Sequence, residues 1–222
     1  MPPSGAEQCP NDGQALAAKE GFDLREVSRL FRLCREQDGG IQLASYILAF
    51  QELNKFFLLL GRIFYFVSKE IMDKTRTLSE HLSSEVGCHY VSVQSMLQYE
   101  VGAGLVRTYY SGCTTLLRLH RALQFVASFI EAIRMSDSDQ IAPLARKAYD
   151  DTLGRYHGWL IRKAVHLAVY TLPTRKQLMS HLSDRMAETE TEQIMREVVV
   201  ECTAVFERVD QLYLEKQLLD IP

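Results

Sequence analysis

The apolar positions between Thr114 and Ile133 recur with the period of an α-helix. Six of them fall on one face and three more form a second row beside it (Leu116, Leu119, Leu123, Val126, Ile130 and Ile133; Ala122, Phe125 and Phe129). The polar positions His120, Gln124 and Glu131 share the narrow strip that remains. Because a helix that is apolar over so much of its circumference is typical of a domain interior, this segment is predicted to be the central helix of the fold.

The second apolar row of the central helix begins with a charged residue, Arg118. A guanidinium in apolar surroundings is costly unless an acidic or anionic group pairs with it, which would make Arg118 a ligand contact. The alternative is that Arg118 lies near enough to the helix start to extend its charge into water. The periodicity leaves both interpretations open.

The same period predicts helices along the rest of the chain, and no segment alternates as a strand does. The predicted helices are 22–34, 41–74 with a bend or a close packing contact at Gly61, 78–82, 90–108, the central helix, 140–155, 157–172, 175–182 and 188–218. No linker is long enough to divide them. The prediction is an all-α protein, a single domain of about eight helices over residues 22–222, behind a disordered segment over residues 1–21.

Composition argues against several classes of protein. The net charge of −3 over 222 residues is not that of a nucleic-acid-binding surface. No uncharged apolar run reaches the length of about 18 residues that indicates a membrane span. The N-terminus lacks the pattern of a signal peptide. Five scattered cysteines indicate free thiols, so we expect a cytosolic protein (Cys9, Cys34, Cys88, Cys113 and Cys202).

An apolar row of the predicted helix 41–74 ends in two charges, Glu70 and Lys74, one turn apart. The residues that precede them in this row are Phe56, Leu60, Ile63 and Val67. An acid and a base at the end of an apolar stripe suggest a site for a polar headgroup above an apolar slot. The alternative is an ordinary exposed ion pair, which would contribute only about 0.3–0.5 kcal/mol.

The segment YHGWLIRKAV holds His157 and the only tryptophan of the chain, Trp159. A lone histidine is more often structural than a ligand contact, and a tryptophan beside Arg162 and Lys163 is often part of a core or its rim. The same combination also suits a peripheral membrane contact, since an indole lies at the interface while cations meet lipid phosphates.

Five segments in this order resemble the glycolipid transfer protein superfamily, and most of all its ceramide-1-phosphate branch: FYFVSKEIMDK, GCTTLLRLHRAL, YHGWLIRKAV, YTLPTR and LYLEKQLLDIP. The resemblance extends from about Phe22 to Pro222. It implies an all-α, two-layer helical sandwich of about eight helices that holds one sphingolipid. The headgroup would lie at a surface site and the chains in a collapsible apolar pocket.

The resemblance also implies roles for four residues. Glu70 matches the acid that accepts hydrogen bonds from the ceramide amide N–H and hydroxyl, although an aspartate is usual there. Lys74 and Arg118 match phosphate contacts. In the glycolipid branch a tryptophan replaces the arginine, so Arg118 argues for an anionic headgroup. His157 matches the donor to the amide carbonyl.

One position departs from this branch. The ceramide-1-phosphate branch has a second phosphate-binding arginine where this chain has Thr114. A hydroxyl brings no charge, so phosphate binding could weaken by about 1.5–3 kcal/mol unless Arg107, Arg76 or Arg121 compensates. Sphingomyelin is therefore an alternative ligand, because its choline would meet a reduced positive field.

The sequence thus predicts non-enzymatic transfer of a phosphate-bearing sphingolipid between membranes, foremost ceramide-1-phosphate, by a monomer that needs no cofactor and no metal. Docking on membranes, including anionic ones, would use Trp159, Arg162 and Lys163. The alternatives are preference for sphingomyelin, or a sphingolipid sensor or scaffold that binds without transfer. The expected lining of the chain pocket is Phe56, Phe57, Leu60, Phe64, Val67 and Phe125.

A helical metalloenzyme is a weaker alternative, based on potential ligands that lie close together in sequence (Glu80, His81, Glu85, Cys88 and His89). They fall in a polar, loop-like stretch. No Glu-x-x-His pair recurs on facing helices, so a metal site is not expected there.

Overall fold

The computed structural model describes residues 21–35, 39–183 and 186–221. Within these ranges it contains nine α-helices and no strand, apart from one antiparallel bridge between Gln42 and Ser92. The helices are α1 (Leu24–Cys34), α2 (Leu43–Leu59), α3 (Tyr65–Leu82), α4 (Val93–Gly102), α5 (Gly112–Arg134), α6 (Ala142–Asp151), α7 (Trp159–Ala168), α8 (Arg175–Ser183) and α9 (Glu188–Glu215). Of the segment 1–21 expected to be disordered, residues 1–20 lie outside the described ranges.

The central helix is α5, as predicted, and it begins two residues earlier than Thr114. It packs against α9, α6, α3 and α4. Helix α1 joins α2 to α9, and α2 packs along α3, so these helices enclose one hydrophobic core. His120 departs from its place in the polar strip. It is buried, its ring stacks on Phe206 at a centroid distance of 4.2 Å, and its Nε2 lies 3.3 Å from Asp210 Oδ1.

The single helix predicted over residues 41–74 is wrong, because the chain breaks at Gly61. This glycine has a φ of +111°, in a region that L-residues with side chains rarely adopt. A short 3-10 turn, Arg62–Phe64, follows the glycine and leads into α3. The stretch 78–82, predicted as a separate helix, is the last part of α3. Gly61 thus lets α2 and α3 run as two packed helices.

The segment predicted as a helix over residues 90–108 is shorter than expected. Helix α4 ends at Gly102, and Gly104 follows with a φ of +70°. The loop after α4 then leads to Ser111, whose side chain caps α5 by accepting a hydrogen bond from the Thr114 N–H over 3.0 Å. This loop and cap determine where the first turns of α5 lie.

In the described part of the chain, no helix combines the length and the apolar character that crossing a bilayer requires. The residues considered as metal ligands form no cluster of three among the described residues. His81 instead stacks on Tyr90, and His89 on Tyr99, at centroid distances of 4.6 and 4.3 Å.

Candidate functional site

Helix α3 carries the acid and the base that the sequence placed one turn apart. Lys74 Nζ lies 3.0 Å from Glu70 Oε1. The Glu70 side chain is 60% exposed, whereas that of Lys74 is only 18% exposed. The Lys74 side chain is therefore largely buried, and the Glu70 side chain that pairs with it is open to solvent.

Arg118 lies one turn beyond Thr114 on α5 and is exposed. Within the described residues it has neither a hydrogen bond nor an ion pair, so no acid neutralises it there. Burial lowers the pKa of Arg121, and the nearby charge of Arg118 acts in the same direction. The first turns of α5 therefore carry uncompensated positive charge, which favours an anionic ligand.

The residue in the place of the second arginine has its hydroxyl engaged within the protein. Thr114 Oγ1 donates a hydrogen bond to the carbonyl oxygen of Val106 over 2.9 Å. Since a hydroxyl has one proton, Thr114 offers phosphate neither charge nor a free donor in this arrangement.

Two of the three arginines considered as substitutes for it are also engaged. The guanidinium of Arg121 donates to the carbonyl oxygens of Leu219 and Ile221 over 2.8 and 3.0 Å. Arg76 pairs with Asp73 at 2.8 Å. Arg107 is exposed, and no hydrogen bond or ion pair of its side chain occurs among the described residues.

His157 follows the 3-10 turn Leu153–Tyr156 and precedes α7. Its Nδ1 lies 2.7 Å from the hydroxyl of Tyr149. Burial lowers the pKa of His157, which favours a neutral imidazole. A neutral imidazole has one N–H and therefore suits an uncharged acceptor, such as an amide carbonyl.

Packing brings these polar residues to neighbouring elements. Helix α3, which carries Glu70 and Lys74, packs against α5, which carries Arg118. The turn Leu153–Tyr156 also packs against α5 and presents His157 directly after it. Glu70 and Lys74 are in direct contact as an ion pair. Among the described residues, Arg118 and His157 share no ion pair or hydrogen bond with them or with each other.

The residues expected to hold the lipid chains belong to the hydrophobic core. Phe56, Phe57, Leu60 and Phe64 are buried, and Val67 and Phe125 pack against them in part. Aromatic contacts link α2 to α5, since Phe129 lies 6.4 Å from Phe56 and 5.8 Å from Phe125, centroid to centroid. Phe56 of α2 therefore meets Phe129 in the second apolar row of α5, the helix that carries Arg118. The continuous apolar row predicted from Phe56 to Val67 is wrong, because the chain breaks at Gly61 and Ile63 is 46% exposed.

The residues expected to dock on membranes lie on an exposed helix. The Trp159 and Leu160 side chains at the start of α7 are 72% and 74% exposed, and Arg162 and Lys163 beside them are exposed too. Ala168 is the only fully buried residue of α7. An apolar helix surface with cations beside it is typical of a protein that lies on a membrane interface.

A buried carboxylate, which sequence reasoning missed, holds the start of α5. Glu100 accepts hydrogen bonds from the Tyr90 and Ser111 hydroxyls and from the N–H groups of Gly112 and Cys113, over 2.9, 2.7, 2.6 and 3.1 Å. A serine directly before an apolar helical row is the one signal that could have located this helix start. Nothing in the sequence pattern points to Tyr149, eight residues before His157.

The chain is similar to proteins of one known family. The family model described as "Glycolipid transfer protein (GLTP)" matches residues 41–184. The ceramide-1-phosphate transfer protein of Mus musculus is 35% identical over 214 residues, which cover 92% of this chain and 99% of that protein. The chain belongs to the glycolipid transfer protein family.

Solved structures of the glycolipid transfer protein family share the fold. The apo form of the mouse ceramide-1-phosphate transfer protein has a TM-score of 0.87 and 35% identity, and the match covers 90% of this chain and all of that one. The human protein in complex with 2:0 ceramide-1-phosphate has a TM-score of 0.85 and 33% identity, with 91% of this chain and 100% of that chain covered. The predicted resemblance and the predicted all-α fold are confirmed.

Proposed function

We propose that this protein carries ceramide-1-phosphate between membranes and catalyses no reaction on it. The relatives named above support the transfer activity, and the complex of the human relative supports the ligand. Among the described residues, the observation that carries the proposal is Arg118, an exposed guanidinium without a partner of its own. A guanidinium forms paired hydrogen bonds with phosphate and offers little to a sugar.

The polar residues then contact different parts of the lipid. Lys74 and Arg118 neutralise the phosphate. Glu70 accepts from the amide N–H and the hydroxyl of the ceramide, with a side chain one methylene longer than the usual aspartate. His157 donates to the amide carbonyl. Because Glu70 already holds Lys74 at 3.0 Å, the acid also keeps the ammonium group oriented before the lipid arrives.

The chains of the lipid enter between α2, α3 and α5, among the pocket residues named above. Burial of a chain gains about 0.8 kcal/mol per CH₂ relative to water. It gains almost nothing relative to a bilayer, where the chain is already in hydrocarbon. Moving the chains from the bilayer into the protein therefore changes the free energy very little. Selectivity comes from the polar contacts, since an apolar slot discriminates poorly between lipid chains.

Docking uses Trp159, Arg162 and Lys163, with the exposed Leu160 beside them. The indole and the leucine lie at the level of the lipid headgroups, and the two cations favour membranes that contain anionic lipids. A monomer in the cytosol suffices for this cycle, because one chain carries the headgroup contacts, the pocket and the docking helix.

A preference for sphingomyelin is the second candidate, and the hydrogen bond from Thr114 to Val106 favours it. A site with one arginine has a weaker positive field, and the choline of sphingomyelin is repelled less by it. A sensor that binds lipid and signals through a partner would share the same site and would differ only in moving no lipid.

The test is transfer between vesicles of three fluorescent lipids with identical chains: ceramide-1-phosphate, sphingomyelin and a neutral glycosphingolipid. We expect ceramide-1-phosphate to move fastest. A preference for sphingomyelin would establish the second candidate. Transfer of the neutral glycolipid alone would contradict the assignment of the headgroup site, and binding without any transfer would favour a sensor.

The variant Arg118→Leu tests whether Arg118 contacts the phosphate. We expect the rate of ceramide-1-phosphate transfer to fall by roughly ten- to a hundredfold, because a charge-assisted contact is lost. The matched control is Arg29→Leu, which removes an exposed arginine that pairs with Glu26 on α1. Both variants should keep the helical circular dichroism of the wild type. Unchanged transfer by Arg118→Leu would remove Arg118 from the site.

A further inference from the structure

The imidazole of His157 is held by a tyrosine that the proposed function does not use. Tyr149 is 2% exposed, and its hydroxyl lies 2.7 Å from His157 Nδ1. Within the described residues this hydroxyl has no other hydrogen-bond partner, and neither does the His157 imidazole. One short contact therefore determines which ring nitrogen of His157 carries the proton.

The direction of this hydrogen bond follows from the donors and acceptors at hand. If Nδ1–H donated to Tyr149, the buried phenolic proton would have no acceptor in the described part of the chain, which is unfavourable. If Tyr149 donates, the phenolic proton and Nδ1 are both paired, and the Nε2–H of His157 is left for a ligand. Burial raises the pKa of Tyr149, with Arg162 opposing and Asp150 adding to the shift, and burial lowers the pKa of His157. The phenol stays protonated and the imidazole neutral.

We propose that Tyr149 is a positioning residue that fixes His157 as the tautomer with its proton on Nε2, so that the site presents a single N–H to the lipid. The inference rests on the proposed function for the identity of the acceptor, which is the amide carbonyl of ceramide. A histidine with a mobile proton would present a lone pair part of the time. A fixed donor thus favours N-acylated sphingoid lipids over those without an acyl carbonyl.

Local packing makes Tyr149 suited to this role. Phe125 and His166 meet its ring edge to face, at centroid distances of 6.4 and 6.1 Å, and keep the ring in one orientation. The turn that returns the chain to Tyr149 contains Gly154. A Cβ there would lie 2.9 Å from the Tyr149 carbonyl oxygen and 3.3 Å from its Cε1. Because Gly154 has no side chain, the turn can pack against Tyr149. This places His157 within hydrogen-bonding distance of the Tyr149 hydroxyl.

The first experiment reads the tautomer without any lipid. The full chain, labelled with ¹⁵N in histidine, is measured by long-range ¹H–¹⁵N correlation at neutral pH. We expect His157 in the wild type to carry its proton on Nε2. In Tyr149→Phe, which keeps the ring, we expect the signals to move toward a mixture of the two tautomers. A wild-type proton on Nδ1, or an identical tautomer in Tyr149→Phe, would overturn the inference.

The second experiment asks whether Tyr149 acts through His157. We expect Tyr149→Phe to slow ceramide-1-phosphate transfer by about three- to tenfold, as loss of one neutral hydrogen bond allows. In a His157→Ala background the same change should have no further effect. A full additional loss in that background would mean that Tyr149 acts only by packing, and it would overturn the inference.

Tyr46→Phe is the matched control. Tyr46 is a buried tyrosine of α2 whose hydroxyl has no partner among the described residues, so the variant should transfer like the wild type. The tautomer measurement does not depend on transfer. If the wild type moved no ceramide-1-phosphate, the proposed function would fail, while the tautomer of His157 would still be decided by the first experiment.

Discussion

The Thr114 hydroxyl donates to the carbonyl oxygen of Val106 over 2.9 Å, one turn before the exposed Arg118 on the same helix. The loop after α4 therefore takes the only proton that Thr114 could offer. Because Thr114 is uncharged, the positive charge near the start of α5 comes from Arg118 and Arg121. Arg121 in turn is committed to the carbonyl oxygens of Leu219 and Ile221.

Replacing Thr114 by arginine should shift selectivity toward ceramide-1-phosphate. The added guanidinium would lie one turn from Arg118 and supply a charge-assisted contact worth about 1.5–3 kcal/mol. We expect the ratio of ceramide-1-phosphate to sphingomyelin transfer to rise by roughly ten- to a hundredfold in Thr114→Arg. The control Thr114→Val removes only a hydroxyl whose proton the Val106 carbonyl oxygen already accepts. It should leave the ratio within about threefold of the wild type. An unchanged ratio in Thr114→Arg would place this position away from the headgroup.

Replacing Glu100 by glutamine should destabilise the protein through the start of α5. The carboxylate accepts four hydrogen bonds. In glutamine an NH₂ group replaces one of its oxygens, and this group faces the same N–H and O–H donors but cannot accept from them. We expect the free energy of unfolding to fall by about 3 kcal/mol, measured by urea denaturation. The control is Glu26→Gln on α1, which removes the charge of a partly exposed carboxylate that pairs with Arg29. It should change the free energy of unfolding by less than about 0.5 kcal/mol, as is usual for a surface ion pair. Equal stabilities would show that the carboxylate is dispensable.

Glu100 should also contribute to acid sensitivity. Burial opposes its ionisation, but hydrogen bonds from Ser111, Cys113 and Tyr90 outweigh burial and lower its pKa below the ordinary 4.5. Its contribution is therefore fully present above pH 4.5 and is lost as the pH falls through the lower folded value. As the pH drops below 4.5, the urea midpoint of the wild type should decrease. The midpoint of Glu100→Gln should decrease less steeply over the same pH interval. Parallel curves would contradict this.

His120 should lower stability in mild acid. Burial lowers its pKa from the ordinary 6.5 despite the hydrogen bond with Asp210. Below about pH 6.5 the unfolded chain binds a proton there that the folded chain does not, so stability falls as the pH drops, by at most about 1.4 kcal/mol per unit. Urea midpoints between pH 7.5 and 5.5 should show a shallower decline in His120→Gln. His157 has a lowered pKa too and contributes with the same sign, so some decline should remain.

A charge on the docking helix should weaken membrane binding without weakening lipid recognition. Leu160→Glu places a carboxylate at a position that is 74% exposed, next to Trp159. Losing burial of one leucine costs about 1.5–3 kcal/mol, so partitioning onto vesicles should fall roughly ten- to a hundredfold. Trp159 is the only tryptophan and reports docking by its fluorescence. The control Val200→Glu alters an exposed apolar residue of α9 and should dock normally. Equal partitioning of both variants would remove α7 from the interface.

The sequence was sufficient for features that neighbouring residues of one helix define. The apolar period of α5, the pairing of Glu70 with Lys74 and the position of Trp159 beside two cations all depend on spacings of three or four residues. The resemblance carried by five segments supplied the family. Hydrogen bonds within a helix fix these spacings, so they can be read without knowing the rest of the fold.

The tertiary structure decided what each polar side chain meets. Periodicity left Gly61 as a bend or a packing contact, and only the observed φ of +111° resolves it as a break between two helices. The periodicity also grouped His120 with polar positions, yet Phe206 and Asp210 of α9 cover this residue. The partners of Thr114 and His157 come from a loop and from a neighbouring helix. Such contacts depend on how elements pack and on which donors and acceptors remain unpaired, and no local spacing encodes them.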